Sequence, residues 1–125
     1  MKRATFQTLA RRAFDRLPRQ FREHLEHVEF VIQDWPDEEL LRSLELDPEQ
    51  DTLLGFYDGV PVGERSHTSD LPEPVTDTIY LFQGALEEAC ESDSELVEEI
   101  RVTLLHEIGH HFGLDDDEIE KLGYG

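Results

Sequence analysis

The sequence predicts an α+β fold, and three observations carry that reading. Apolar residues recur at helical spacing near both ends, at Phe6, Leu9, Ala10, Ala13, Phe14 and Leu17 and again at Leu96, Val97, Ile100, Leu104 and Ile108. Between these stripes lie two short β-rich runs, EFVIQD (29–34) and DTIYLF (77–82). Asp58-Gly59 sits between apolar flanks, the pattern of a hairpin turn of the I′ type. A chain of 125 residues with 38% hydrophobic content has room for one core, so residues 1–125 are expected to form a single domain.

Taken in order, Ala4 to Leu17 forms the first helix and Pro18 breaks it. A second helix is expected over Arg19 to Glu26, with Phe21 and Leu25 turned inward. Both read as covering elements. Glu29 to Asp34 is expected as a central strand, ended by Trp35-Pro36. Pro36 suits a first helical turn, so Asp37 to Leu44 is read as helix, capped by Asp34 or Trp35, with Trp35 as a core or edge anchor. Leu46 to Thr52 is a loop. Leu53 to Tyr57 and Val60 to Gly63 are the hairpin arms, the second short or at an edge because of Pro61. Glu64 to Thr76 has two prolines and no period, and a loop of that length is read as either mobile or functional, in the second case as one rim of a cleft. Asp77 to Phe82 is a strand, and Gln83 to Glu91 a helix with Leu86, Ala89 and Cys90 inward. Ser92 and Glu95 have capping-box spacing ahead of the last long helix. A final short helix is expected over Asp117 to Leu122.

The net charge is −19, and its distribution is uneven. Residues 1–24 hold seven of the eleven Lys and Arg and two acidic residues. The balance of the chain is strongly acidic. Such a field repels nucleic acid and anionic membranes, so neither is expected as a partner. The basic N-terminal helix is instead expected to lie across the acidic body and offset its self-repulsion. No apolar run is long enough to span a bilayer, residues 1–12 lack the apolar core of a secretory signal, and the single Cys90 excludes an internal disulfide. These features together lead to the expectation of a cytoplasmic protein.

The chemistry lies in residues 103–117, TLLHEIGHHFGLDDD. His106 and His110 are four apart, hence on one helix face, where both imidazoles can address one Zn²⁺. Glu107 is about 100° round the helix, near enough to take a proton from an activated water. Gly113 can adopt positive φ and end the helix, so an acidic group just beyond can return to the metal. Asp116 has the spacing for the third ligand. Asp115 and Asp117 are neighbours able to replace it, and Glu118 or Glu120 would be the analogue of a downstream Glu ligand. His111 points away from the pair and reads as a packing residue or a partner of a ligand. Arg65, His67 and Tyr124 are candidates for stabilising an oxyanion. Zinc is the expected ion, with Glu107 as general base and peptide or protein as substrate.

The string HEIGHHFGLDD, read as HExxHxxGxxD, resembles the zincin-like metallopeptidases. More closely, DTIYLFQGAL, the hairpin-like GFYDGVPVGERS and the run ELVEEIRVTLLHEIGHHFGLDDDEIEKLGY are similar to small bacterial zincin-like proteins of about this length, described as minimal metallopeptidases. The resemblance implies a zincin-like α+β fold, a small mixed sheet packed on an active-site helix, one zinc ion and peptidase activity. Metzincins have a third His and a downstream Met-turn; here Asp116 stands at the third position and Met1 is the one methionine, which excludes a standard metzincin. In an extended-substrate mode, either DTIYLF or the hairpin would offer its edge to the peptide. Two other readings compete: a zinc-stabilised binding or regulatory module without turnover, and a zinc hydrolase acting on a non-peptide amide.

Overall fold

In the computed structural model, residues 1–25, 28–59 and 77–123 are described. Along them run α1 (Arg3–Asp15), α2 (Arg19–Leu25), β1 (Val28–Gln33), α3 (Glu38–Ser43), β2 (Gly55–Asp58), β3 (Asp77–Phe82), α4 (Gln83–Glu88), α5 (Asp93–His111) and α6 (Asp116–Gly123). The second hairpin arm, the 64–76 loop with Arg65 and His67, and Tyr124 lie outside the described residues.

The three strands form a mixed sheet in the order β1-β3-β2. β1 runs parallel to β3, from Val28 opposite Asp77 to Gln33 opposite Phe82. β2 runs antiparallel to β3, from Gly55 opposite Leu81 to Asp58 opposite Thr78. EFVIQD is therefore not the central strand expected of it. DTIYLF takes the centre, and burial gives the reason: Asp77, Ile79, Leu81 and Phe82 are all buried, whereas Phe30 on β1 is 39% exposed.

α1 ends two residues before the expected Leu17, but its stripe holds: Phe6, Leu9 and Ala13 are buried, and the helix lies against α5. Leu17 is also buried, from beyond the helix end. The N-terminal cations reach the acidic body only in part. Arg3 pairs with Asp34 and the Met1 amino group with Glu87, whereas Arg11 pairs with Asp15 and Arg19 with Glu23 on their own helices. Exposed pairs of this kind contribute little to stability. A groove of about 830 Å³ lies where α1 and α2 meet β1, lined in part by Arg11, Arg22 and Phe30.

α3 begins at Glu38, with Asp37 rather than Asp34 or Trp35 at its N-cap. Trp35 is half exposed and no core residue. It lies over α4, where a side chain at Gly84 would come within 2.6 Å of its indole, and Gly84 N–H donates to the Asp34 carbonyl at 2.8 Å. α4 stops at Glu88 and turns Ala85 and Leu86 inward; Ala89 is exposed, contrary to the sequence reading. Cys90 is half-buried against the core, and burial followed by Glu99 and Glu95 raises its thiol pKa.

α5 starts with a variant of the expected capping box. Ser92 Oγ accepts from Glu95 N–H at 3.2 Å, while the Glu95 carboxylate accepts from Glu91 N–H rather than from Ser92 N–H. Its face of Leu96, Val97, Ile100, Leu104 and Ile108 is buried. Strand β2 lies close on this helix, since a Cβ at Gly55 would stand 2.8 Å from Thr103 Cγ2. Just beyond the end of α5 stands Gly113, whose φ is +83°. Gly113 N–H donates to the His110 carbonyl and Leu114 N–H to the Gly109 carbonyl, both at 2.9 Å, which is a Schellman ending. Chain reversal then brings α6 back onto α5.

Their contact is tight at one point. Ile119 is fully buried, and a Cβ at Gly109 would sit 2.5 Å from its Cγ1. Gly109→Ala must therefore push Ile119 and α6 away. The expected destabilisation is about 1–3 kcal/mol, despite the higher helix propensity of alanine. Thermal or denaturant unfolding of the variant checks it, and an equal or higher melting temperature would contradict the packing argument.

Candidate metal centre

His106, Glu107 and His110 all lie in the last turns of α5. The His106 and His110 rings stand on one side of the helix with centroids 6.0 Å apart. His106 Nδ1 lies 2.9 Å from the Val102 carbonyl, one turn back. A carbonyl only accepts, so Nδ1 is the donor, and in the neutral ring this leaves Nε2 as the nitrogen whose lone pair can ligate. His110 Nε2 lies 3.0 Å from Asp116 Oδ1, across the turn made at Gly113. Both members of that pair are more than half exposed.

Asp116 thus comes to His110, from the first turn of α6 and not from the connecting turn. The competing carboxylates are engaged or directed elsewhere. Asp115 caps α6, its Oδ1 accepting from Glu118 N–H at 2.8 Å, and Glu118 returns an acceptor to Asp115 N–H at 3.3 Å. Asp117 and Glu120 are exposed and make no hydrogen bond to either histidine among the described residues. Two imidazoles and a carboxylate are donor types that zinc accepts. Among the described residues, however, no three His, Cys, Asp or Glu side chains already converge as a metal cluster. The donor chemistry fits the ion; His110 and Asp116 meet each other rather than a common point.

Glu107 is set apart from this exposed pair. Its Oε2 accepts from the Tyr57 backbone N–H of β2 at 3.1 Å. That N–H points away from β3 for a geometric reason. Phe82 N–H donates to the Leu54 carbonyl, so the pairs that exchange bonds across β2 and β3 fall at alternate residues and exclude Tyr57. Glu107 thus lies against the outer edge of β2. Burial raises its pKa, and the Tyr57 N–H and the nearby His110 and His106 oppose that rise only in part. β3, in contrast, is bonded on both sides, by β1 and by β2. Of the two edges that the sequence offered to an extended peptide, DTIYLF is thereby excluded.

Behind Glu107 lies a trio that the sequence reading did not assemble. Tyr57 OH donates to Asp77 Oδ2 at 2.7 Å, and His111 Nε2 is 3.7 Å from the same oxygen. The Tyr57 and His111 rings stack at 4.1 Å. Asp77 and His111 are buried, at 3% and 7% exposure. His111 was expected to pack or to support a ligand, whereas Asp77 carried no signal beyond its place at the start of a strand. One was present in retrospect: an acidic residue opening an otherwise apolar central strand calls for a buried partner.

The raised Glu107 pKa has a consequence for stability. A carboxyl that holds its proton more tightly when folded stabilises the fold below the ordinary carboxyl range. That contribution is lost as pH rises through the raised value. In metal-free protein, Glu107→Gln should therefore melt above the parent at neutral pH, and the difference should vanish in acid. Melting curves in chelator across that pH range check the sign. A variant less stable than the parent at neutral pH would contradict it.

No helix among the described residues is long and apolar enough to cross a membrane. No curated protein matches the chain. A family model described as zincin-like metallopeptidase matches residues 25–125, which takes in every element from β1 onward. By that match, the chain belongs to the zincin-like metallopeptidase family, a family of zinc-dependent hydrolases.

Proposed function

We propose that the protein is a zinc-dependent peptidase in which His106, His110 and Asp116 hold the ion and Glu107 is the general base. The observation that carries this reading is the placement of Glu107: a half-buried carboxylate one residue from His106, held by a strand-edge N–H. When bound, zinc supplies Lewis acidity to a water and to the scissile carbonyl. Glu107 would accept a proton from the attacking water and deliver it to the leaving amine. The Tyr57 N–H restrains one carboxylate oxygen, Oε2, which leaves Oε1 for the proton transfer. Desolvation makes the carboxylate a stronger base than an exposed one, which suits this task.

Residues 1–125 act as one domain in this reading, on peptide or protein substrates. So small a frame offers little subsite area, which favours short or unfolded peptides. The single Cys90 and the acidic composition suit a reducing, cytoplasmic setting.

Elemental analysis of purified protein should find about one zinc per chain, lost in His106→Ala and reduced in Asp116→Ala. Glu107→Gln should retain the zinc and lose about 10²- to 10⁴-fold in peptide turnover. Zinc with no turnover in the parent would instead favour a zinc-stabilised binding module. Turnover of non-peptide amides alone would favour a different hydrolase. Absence of zinc, with no uptake from solution, would end all three metal-dependent readings.

A further inference from the structure

We infer that Asp77 is a positioning residue for Glu107, acting through Tyr57 and His111. The inference rests on the reading of Glu107 as the base, and it concerns residues outside the HExxH motif. Asp77 opens β3 and is almost fully buried. One of its oxygens, Oδ2, receives the Tyr57 hydroxyl from β2 and faces His111 Nε2 from the last turn of α5. A single carboxylate is therefore bonded to the strand that holds Glu107 and faces the helix that carries it. The fold keeps space for it: a Cβ at Gly59 would lie 2.5 Å from Asp77 Oδ1, so this carboxylate requires the glycine that follows β2.

Tyr57 is the joint. Its side chain is fixed at both ends, by the hydroxyl bond to Asp77 and by stacking on His111 with the rings 17° from parallel. Its backbone N–H is the donor to Glu107. A rotation or slide of Tyr57 would move that N–H along the edge of β2 and release the carboxylate. Packing alone does not call for this arrangement. Apolar side chains of similar volume would fill the same space without removing a carboxylate from water. What the polar trio adds is direction, because a short hydroxyl–carboxylate bond tolerates little angular change.

The test uses the zinc-loaded full chain with Tyr57→Phe, Asp77→Ala and Asp77→Asn. Amide hydrogen exchange by NMR reads the bond directly. In Tyr57→Phe and Asp77→Ala, the amide at position 57 should exchange at least about tenfold faster, with the ladder amides of β3 unchanged. Zinc content should stay at the parent value. For peptide hydrolysis, kcat should fall by about tenfold to about 100-fold with KM within about twofold. Asp77→Asn keeps an oxygen that accepts from Tyr57 and should recover most of both properties. Unchanged exchange at position 57 in Tyr57→Phe overturns the inference. So does a loss of kcat that merely tracks lost zinc or lost protection throughout β3. Should Asp77→Ala fail to fold, Tyr57→Phe decides alone. If the parent hydrolyses no peptide, the peptidase reading fails separately, and exchange at position 57 still decides whether Asp77 and Tyr57 hold Glu107.

Discussion

Moving a carboxylate out of water removes several strong hydrogen bonds, and the protein must return some of them or let the group take up a proton. At Glu107 the return is partial: one backbone N–H from β2, with two imidazoles nearby on the same helix. Much of the architecture follows from bringing that strand edge against that helix. Gly55 lets β2 approach Thr103. Alternate hydrogen bonding between β2 and β3 leaves the Tyr57 N–H turned outward. β3 in turn is held from its other side by β1, with which it stays in register along its full length. Sheet and helix are therefore not merely stacked for burial. Their relative position sets the environment of one acid.

The second half of the site obeys a different physics. His110 and Asp116 are exposed, and their contact depends on a local device, the left-handed Gly113 followed by the reversal into α6. Gly109 then allows α6 to lie against α5 through Ile119. An exposed pair is easily rearranged, since its members lose little by returning to water. Under the proposed reading, a half-buried carboxylate beside exposed carboxylate and imidazole groups suits a centre whose ion enters from solvent while the base stays fixed.

Residues 1–24 precede the family match, which begins at residue 25. They are nonetheless part of the core: Phe6, Leu9, Ala13 and Phe21 are buried, and Phe21 stacks on Phe112 just beyond the end of α5. This basic segment covers the helix that bears the candidate site, and its contribution there is chiefly apolar. Arg3 and the terminal amino group pair with acidic groups beyond the segment, and Arg16 lies near enough to Glu98 on α5 to help lower its pKa.

The sequence by itself determined what depends on near neighbours. Four-residue spacing puts His106 and His110 on one face of any helix, Gly113 ends that helix, and DTIYLF begins and ends as the strand it was expected to be. Boundaries set by weak local signals moved by one to three residues, as at α1, α3 and α4. Tertiary structure alone decided which strand is central, because an apolar run reads alike with one neighbour or two. It also decided which acid meets His110, since Asp115 and Asp116 differ only in the direction the turn gives them. Above all it brought Tyr57, Asp77 and His111 together. These residues lie on three elements, and no periodicity relates them. Their meeting follows from the packing of β2 and β3 on α5, a long-range constraint that local sequence does not encode.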